Sequence, residues 1–101
     1  MHLHRVKLLR IVADARLRED VLRLLERVGA QGYTVSAAVG SGAHGERTGL
    51  NPETANVLIE MIASEERAEE AMKLVHRELL GPNAVIAYLM DAQVLRREKF
   101  L

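Results

Sequence analysis

A stripe of aliphatic side chains constrains the fold of this chain more than any other feature. Leu17, Val21, Leu24, Leu25 and Val28 recur at the spacing of one face of an α-helix. Arg16, Arg18, Glu19, Arg23, Glu26 and Arg27 fill the opposite face. Such a helix must bury its stripe, and the chain supplies a surface for it directly upstream. Residues 5–13, Arg-Val-Lys-Leu-Leu-Arg-Ile-Val-Ala, are rich in branched aliphatics and read as a strand. Asp14 is placed to cap the helix and Gly29 to stop it.

The same pairing of strand and helix recurs further on. Tyr33-Thr34-Val35 opens a second strand that runs to about Val39. A third spans Ala55 to Ala63, with Val57, Leu58, Ile59, Met61 and Ile62. Ser64 can cap a second helix, and Glu65 and Glu66 sit where the helix dipole favours anions. Its apolar stripe is Ala68, Ala71, Met72, Val75 and Leu79, and Gly81-Pro82 ends it. Ala84 to Met90 reads as a fourth strand and Gln93-Val94-Leu95 as a short fifth, before a basic tail over residues 96–101. The order strand, helix, strand, strand, helix, strand predicts an α+β fold of the ferredoxin-like split βαβ type (βαββαβ). Both helices then cover one face of an antiparallel sheet, in a single domain over residues 1–101.

The strands are too apolar for a sheet with one wet face. In the third strand Val57, Ile59 and Met61 point one way, while Leu58 and Ile62 point the other with only Glu60 charged. Both alternating sets of the fourth strand are apolar as well. A second buried face, supplied by another copy of the chain, is the expectation. A carboxylate between Ile59 and Met61 is costly if buried alone, so Glu60 is expected to be partnered at such a boundary, with Arg10.

Composition excludes several function classes. The chain has 101 residues, enough for one modest core, and 14 basic against 14 acidic residues, so no overall field draws in nucleic acid or membrane. It has no cysteine, hence no disulfide framework or thiolate metal site. Tyr33, Tyr88 and Phe100 are the only aromatics, which speaks against a single-stranded nucleic-acid platform. No apolar run reaches the roughly 20 residues of a membrane span. The N-terminus lacks the pattern of a signal peptide, so a cytoplasmic location is expected. Asp14, Glu60 and Asp91 are scattered, and no serine or cysteine nucleophile sits in a motif, so the chain is not expected to be an enzyme. His2 and His4 share one side of an extended terminus, but a metal site needs three or four ligands. His76, near Glu69, Lys73 and Arg77, reads as a surface residue.

Chemistry concentrates in Gly40-Ser41-Gly42-Ala43-His44-Gly45-Glu46-Arg47-Thr48-Gly49, which Asn51-Pro52 extends as a loop. The plain reading is a hairpin between strands. The alternative is an anion cradle: glycines let backbone N–H groups approach a phosphate, and Arg47 adds a two-pronged charged contact. Four glycines and an arginine within ten residues favour the cradle. Arg96, Arg97 and Lys99 read as a solvated tail that, at a subunit boundary, can reach the phosphates of a neighbouring site.

Gly29-Ala30-Gln31-Gly32-Tyr33-Thr34-Val35, followed by the Gly-x-Gly loop, resembles the PII signal-transduction superfamily. It is most similar to the PII-like branch typified by SbtB and the carboxysome-associated PII-like proteins. Asn56-Val57 and Ala92-Gln93-Val94-Leu95 share that similarity, which covers roughly residues 5–96. The resemblance implies a homotrimer with adenine nucleotides in the clefts between subunits. It also implies a T-loop, about residues 40–54 here, that reports ligand state to a partner. Carried over, Thr34 lies near base and ribose, Gly40 and Gly42 bring N–H groups to the phosphates, and Arg47 pairs with phosphate. His44 stands where the branch often has a second arginine; Thr48 and Gly49 complete the loop set, and the backbone of Ala84 and Val85 meets adenine.

The departures are informative. No tyrosine occurs in the loop, and Leu80-Gly81-Pro82-Asn83-Ala84 replaces the Thr-Gly-Lys-x-Gly-Asp-Gly phosphate loop of nitrogen-regulatory PII proteins. AMP, ADP or cyclic AMP is therefore favoured over ATP, with bicarbonate as a companion ligand suggested by the resemblance alone. The expected partner is a transporter of bicarbonate or another anion, or a carbon-fixation component. The alternatives are a CutA-type trimeric metal-tolerance protein, a small ferredoxin-like enzyme, or a ligand-free trimer with a docking hairpin.

Overall fold

A computed structural model describes residues 1–42, 45–47, 55–81 and 83–95. The elements run β1 (His4–Asp14), a 3-10 turn (Ala15–Leu17), α1 (Arg18–Arg27), β2 (Thr34–Ala38), β3 (Gly40–Gly42), β4 (Gly45–Arg47), β5 (Asn56–Ala63), α2 (Glu65–Glu78) and β6 (Ile86–Val94). Four strands form an antiparallel sheet in the order β2-β5-β1-β6, and β3 and β4 form a separate hairpin. The βαββαβ order expected from the sequence is present, with the hairpin inserted between its second and third strands.

The register of β1 decides which residues meet the helices. Leu9 lies opposite Met61 on one side and Leu89 on the other, and Ile11 opposite Ile59 and Ala87. Because strand side chains alternate, this places Leu9, Ile11 and Ala13 on one face with Val57, Ile59, Met61 and Ala63. Both helices close over that face through Val21, Leu25, Ala71 and Val75 among others. Leu9, Ile11 and Leu25 are fully buried.

Local chemistry starts and stops the helices. Asp14 caps as expected, but it caps the 3-10 turn, so α1 begins a turn later at Arg18. Its carboxylate accepts the Arg16 N–H at 2.9 Å and two bonds from the Arg16 guanidinium at 3.1 and 3.0 Å. Gly29 ends α1 with φ +77°, the left-handed geometry that favours glycine. Ser64 caps α2 by accepting the Arg67 N–H at 3.3 Å, and Asn83 closes its far end by donating to the Leu79 carbonyl at 2.8 Å. Arg27 and Glu78 tie the helices together through two bonds at 2.7 and 3.0 Å.

Three details differ from the sequence reading. Leu22 and Leu74 are buried although they stand outside the predicted stripes, because the helices also touch each other and so bury a wider arc than one sheet face requires. Leu17 and Met72 are only partly covered. The fourth and fifth predicted strands are one strand, β6, since the 11-residue β1 is long enough to pair past Asp91.

The opposite face of the sheet is apolar and open. Leu8, Val12, Leu58 and Ile62 are half-buried there, while Ile86 is 62% and Met90 47% exposed. Arg10 and Glu60 face each other across β1 and β5, with Nε–Oε2 3.8 Å, which is the pairing expected from the sequence. Leu9→Ala and Ile59→Ala are each expected to lower unfolding free energy by about 2–5 kcal/mol, and Ser64→Ala by about 1 kcal/mol. Urea denaturation at fixed protein concentration checks both.

Candidate functional site

The loop that carries the glycines starts from an edge of the sheet. Among the described residues β2 pairs only with β5, and Thr34, its first residue, is exposed opposite Glu60. β2 leads through the exposed Val39 into β3. The hairpin register then sets Gly40 opposite Arg47, Ser41 opposite Glu46 and Gly42 opposite Gly45. Glycine spacing thus does two things at once: it permits a tight hairpin, and it brings the arginine backbone beside the first glycine of the Gly-x-Gly element. The plain hairpin reading and the cradle reading describe the same segment. His44, Thr48 and Gly49, and the tail residues Arg96, Arg97 and Lys99, lie outside the described residues.

The other expected contributors are elsewhere. Ala84 is exposed and Val85 packs on the core, both just before β6, with the Val85 N–H donating to the Asn83 carbonyl at 3.1 Å. In the order β2-β5-β1-β6, Thr34 and the Ala84–Val85 segment belong to opposite edges of the sheet. Three strand spacings separate those edges, about 14 Å. Among the described residues, Thr34 and the Ala84–Val85 segment therefore stand on opposite sides of the sheet.

A groove that the sequence did not single out lies at the other end of β1. It holds about 550 Å³ and is lined by Arg5, Val6, Lys7, Glu65, Asp91, Ala92 and Gln93. Lys7 donates to the Asp91 carboxylate. That bond raises the lysine above its ordinary value and lowers the aspartate. The only signal for this pair is register, Lys7 opposite Asp91, and it exists only once β1 and β6 are paired. The two charges satisfy each other, which leaves little field for a charged ligand.

The rings of His2 and His4 lie with centroids 4.5 Å apart, tilted by 42°, and His76 is exposed. Among the described residues no three metal-ligating side chains converge, and no helix is long and apolar enough to cross a membrane.

A profile of the nitrogen regulatory protein P-II family matches residues 6–99. The chain belongs to that family. It is 37% identical to a PII-like signaling protein from Thermus thermophilus, whose structure superposes with a TM-score of 0.87 over 100% of both chains. It is 27% identical to CPII of Thiomonas intermedia, a nitrogen regulatory PII-like protein solved with ADP, AMP and bicarbonate, with a TM-score of 0.88 over 98% of this chain and 96% of that one. A CPII structure with ADP and bicarbonate matches at 27% identity and a TM-score of 0.89, over 99% and 98% of the two chains. The resemblance carried by Gly29–Val35 and the loop after it identified the right family, and these P-II matches do not select the SbtB branch within it.

Two ion pairs of this P-II chain set a pH expectation. Arg27 holds the Glu78 carboxyl below its ordinary range, helped by Arg77, and Lys7 does the same for Asp91. A lowered folded value means that the contribution to stability is complete above the unfolded value and is lost as pH falls through the folded one, below about pH 4. Carboxyl NMR titration should find both groups depressed, and Arg27→Ala should return Glu78 towards the ordinary range without moving Asp91.

Proposed function

We propose that this P-II family protein is an adenine-nucleotide-binding regulator that acts as a homotrimer, with its ligand in the cleft between copies. The observation that carries the reading is the β3–β4 hairpin, which holds the Gly40 backbone against that of Arg47 next to the edge strand that begins at Thr34. Backbone N–H groups and a guanidinium on one hairpin suit a phosphate. CPII, 27% identical, is solved with ADP, AMP and bicarbonate, which supports a mono- or diphosphate ligand and bicarbonate beside it. The separation of Thr34 from Ala84 and Val85 supports the shared cleft, and the open apolar sheet face supports assembly.

In this reading Thr34 contacts base and ribose, and the amides of Gly40 and Gly42 with Arg47 hold the phosphates. His44, Thr48 and Gly49 complete the loop side, and the backbone of Ala84 and Val85 from the neighbouring copy meets the adenine. A ligand that contacts the T-loop, about residues 40–54, in one of its conformations raises the population of that conformation. A partner then reads the difference. The partner we favour is a bicarbonate or other anion transporter, or a carbon-fixation component, as in the SbtB-like branch, in the cytoplasm and without turnover of the nucleotide.

Calorimetry with AMP, ADP, ATP and cyclic AMP, each with and without bicarbonate, tests this. At least one nucleotide should bind, and Arg47→Ala should weaken it by roughly 10- to 100-fold, the value of a charge-assisted hydrogen bond. Absence of binding, or an unchanged affinity in the variant, overturns the reading. Light scattering should give the mass of three chains.

A further inference from the structure

The open sheet face carries a charged centre. Over residues 8–12, 58–62 and 86–90 its outward side chains are Leu8, Val12, Leu58, Ile62, Ile86, Tyr88 and Met90, and among them stand the charged Arg10 and Glu60. Arg10 lies between Glu60 and Tyr88 in the register, with its guanidinium 5.5 Å from the Tyr88 ring centre. Neither charge is fully covered: the side chains are 31% and 34% exposed.

The pair is poorly satisfied within the chain. At 3.8 Å the contact between Arg10 Nε and Glu60 is an ion pair but too long for a hydrogen bond. The Nε–H is buried and has no hydrogen-bond partner among the described residues. A guanidinium carries five N–H donors and a carboxylate about four acceptor positions, so most of the bonding capacity of both groups remains for something outside. Whatever covers the apolar residues must also cover this pair. Desolvating two charges costs several kcal/mol each unless the incoming surface brings an acceptor for Arg10 and a donor for Glu60 side by side. A plain apolar partner brings neither, and a surface of one sign satisfies one group and repels the other. A second copy of the same face brings both at the matching separation.

We propose that Arg10 and Glu60 pair between copies of this chain, Arg10 of one with Glu60 of the next, and that this exchange sets the register in which the sheet faces meet. The inference rests on the assembly put forward above and adds the groups that specify it. Its energetic logic is that of a polar contact in an apolar interface, which selects one alignment among many that bury similar area.

Charge reversal separates pairing between chains from pairing within one. Arg10→Glu presents two carboxylates and Glu60→Arg two guanidinium groups, so each variant alone should lose the wild-type oligomer in light scattering. Mixed in equal amounts, the two should co-assemble further than either does alone, seen as mixed masses by native mass spectrometry, because a ring of three unlike-charged variants keeps only one like-charged contact where each variant alone has three. Co-assembly supports the proposal. Variants that each retain the wild-type oligomer overturn it. The chain carrying both reversals restores opposite charges at every contact between copies and should recover the oligomer; a folded double variant that stays dissociated overturns the proposal. A wild-type monomer overturns the assembly reading itself, whereas a wild-type oligomer indifferent to the reversals overturns only this inference. Glu60→Gln, checked for folding by circular dichroism, should raise the concentration of half-dissociation by at least about tenfold. An unchanged value overturns the proposal even where the reversed variants do not fold.

Discussion

Everything in this structure depends on β1 being hydrogen-bonded on both sides in unbroken register. Eight of its residues pair with β5 and nine with β6. Because the side-chain period is two, a slip of one residue would turn Leu9 and Ile11 away from the helices and bring Arg10 beneath them. Pairing on both sides makes that slip doubly costly. The helices then have one possible floor, and their own caps at Ser64 and Gly29 place them on it.

The same register also produces the two features that bear on function. It leaves an apolar face with a charged centre, and it puts the two halves of the expected ligand site on opposite edges of one sheet. Each is unfinished within a single chain, one in solvation and the other in geometry. The association of copies proposed above would answer both, by covering the face and by adding a second sheet edge.

The ion pairs fall into two kinds. Lys7–Asp91 and Arg27–Glu78 each have one member largely in solvent, Asp91 and Arg27, and screening and side-chain entropy leave little net stabilisation there, although each pair shifts the titration of its carboxyl. Arg10–Glu60 is half-buried among aliphatic groups, where the same charges cost more to cover and discriminate more strongly between partners. A pair of opposite charges has a different meaning on a helix surface than at the centre of an apolar sheet face.

The sequence by itself determined the βαββαβ order, the two alternating sets of the third strand, the caps at Asp14 and Ser64, the Arg10–Glu60 pair and the family. All of these follow from period, local hydrogen bonding and short motifs, which are properties of neighbouring residues. Leu22 and Leu74 escaped because contact between the helices widens the buried arc, and strand periodicity alone could not join residues 84–90 to 93–95. Lys7–Asp91 escaped because its partners lie 84 residues apart and meet only through the β1–β6 ladder. Tertiary structure alone decided that Gly40 stands opposite Arg47 and that Thr34 stands an entire sheet away from Val85. Those relations are set by which strands pair and in what order, and pairing over long separations depends on the packing of the whole chain.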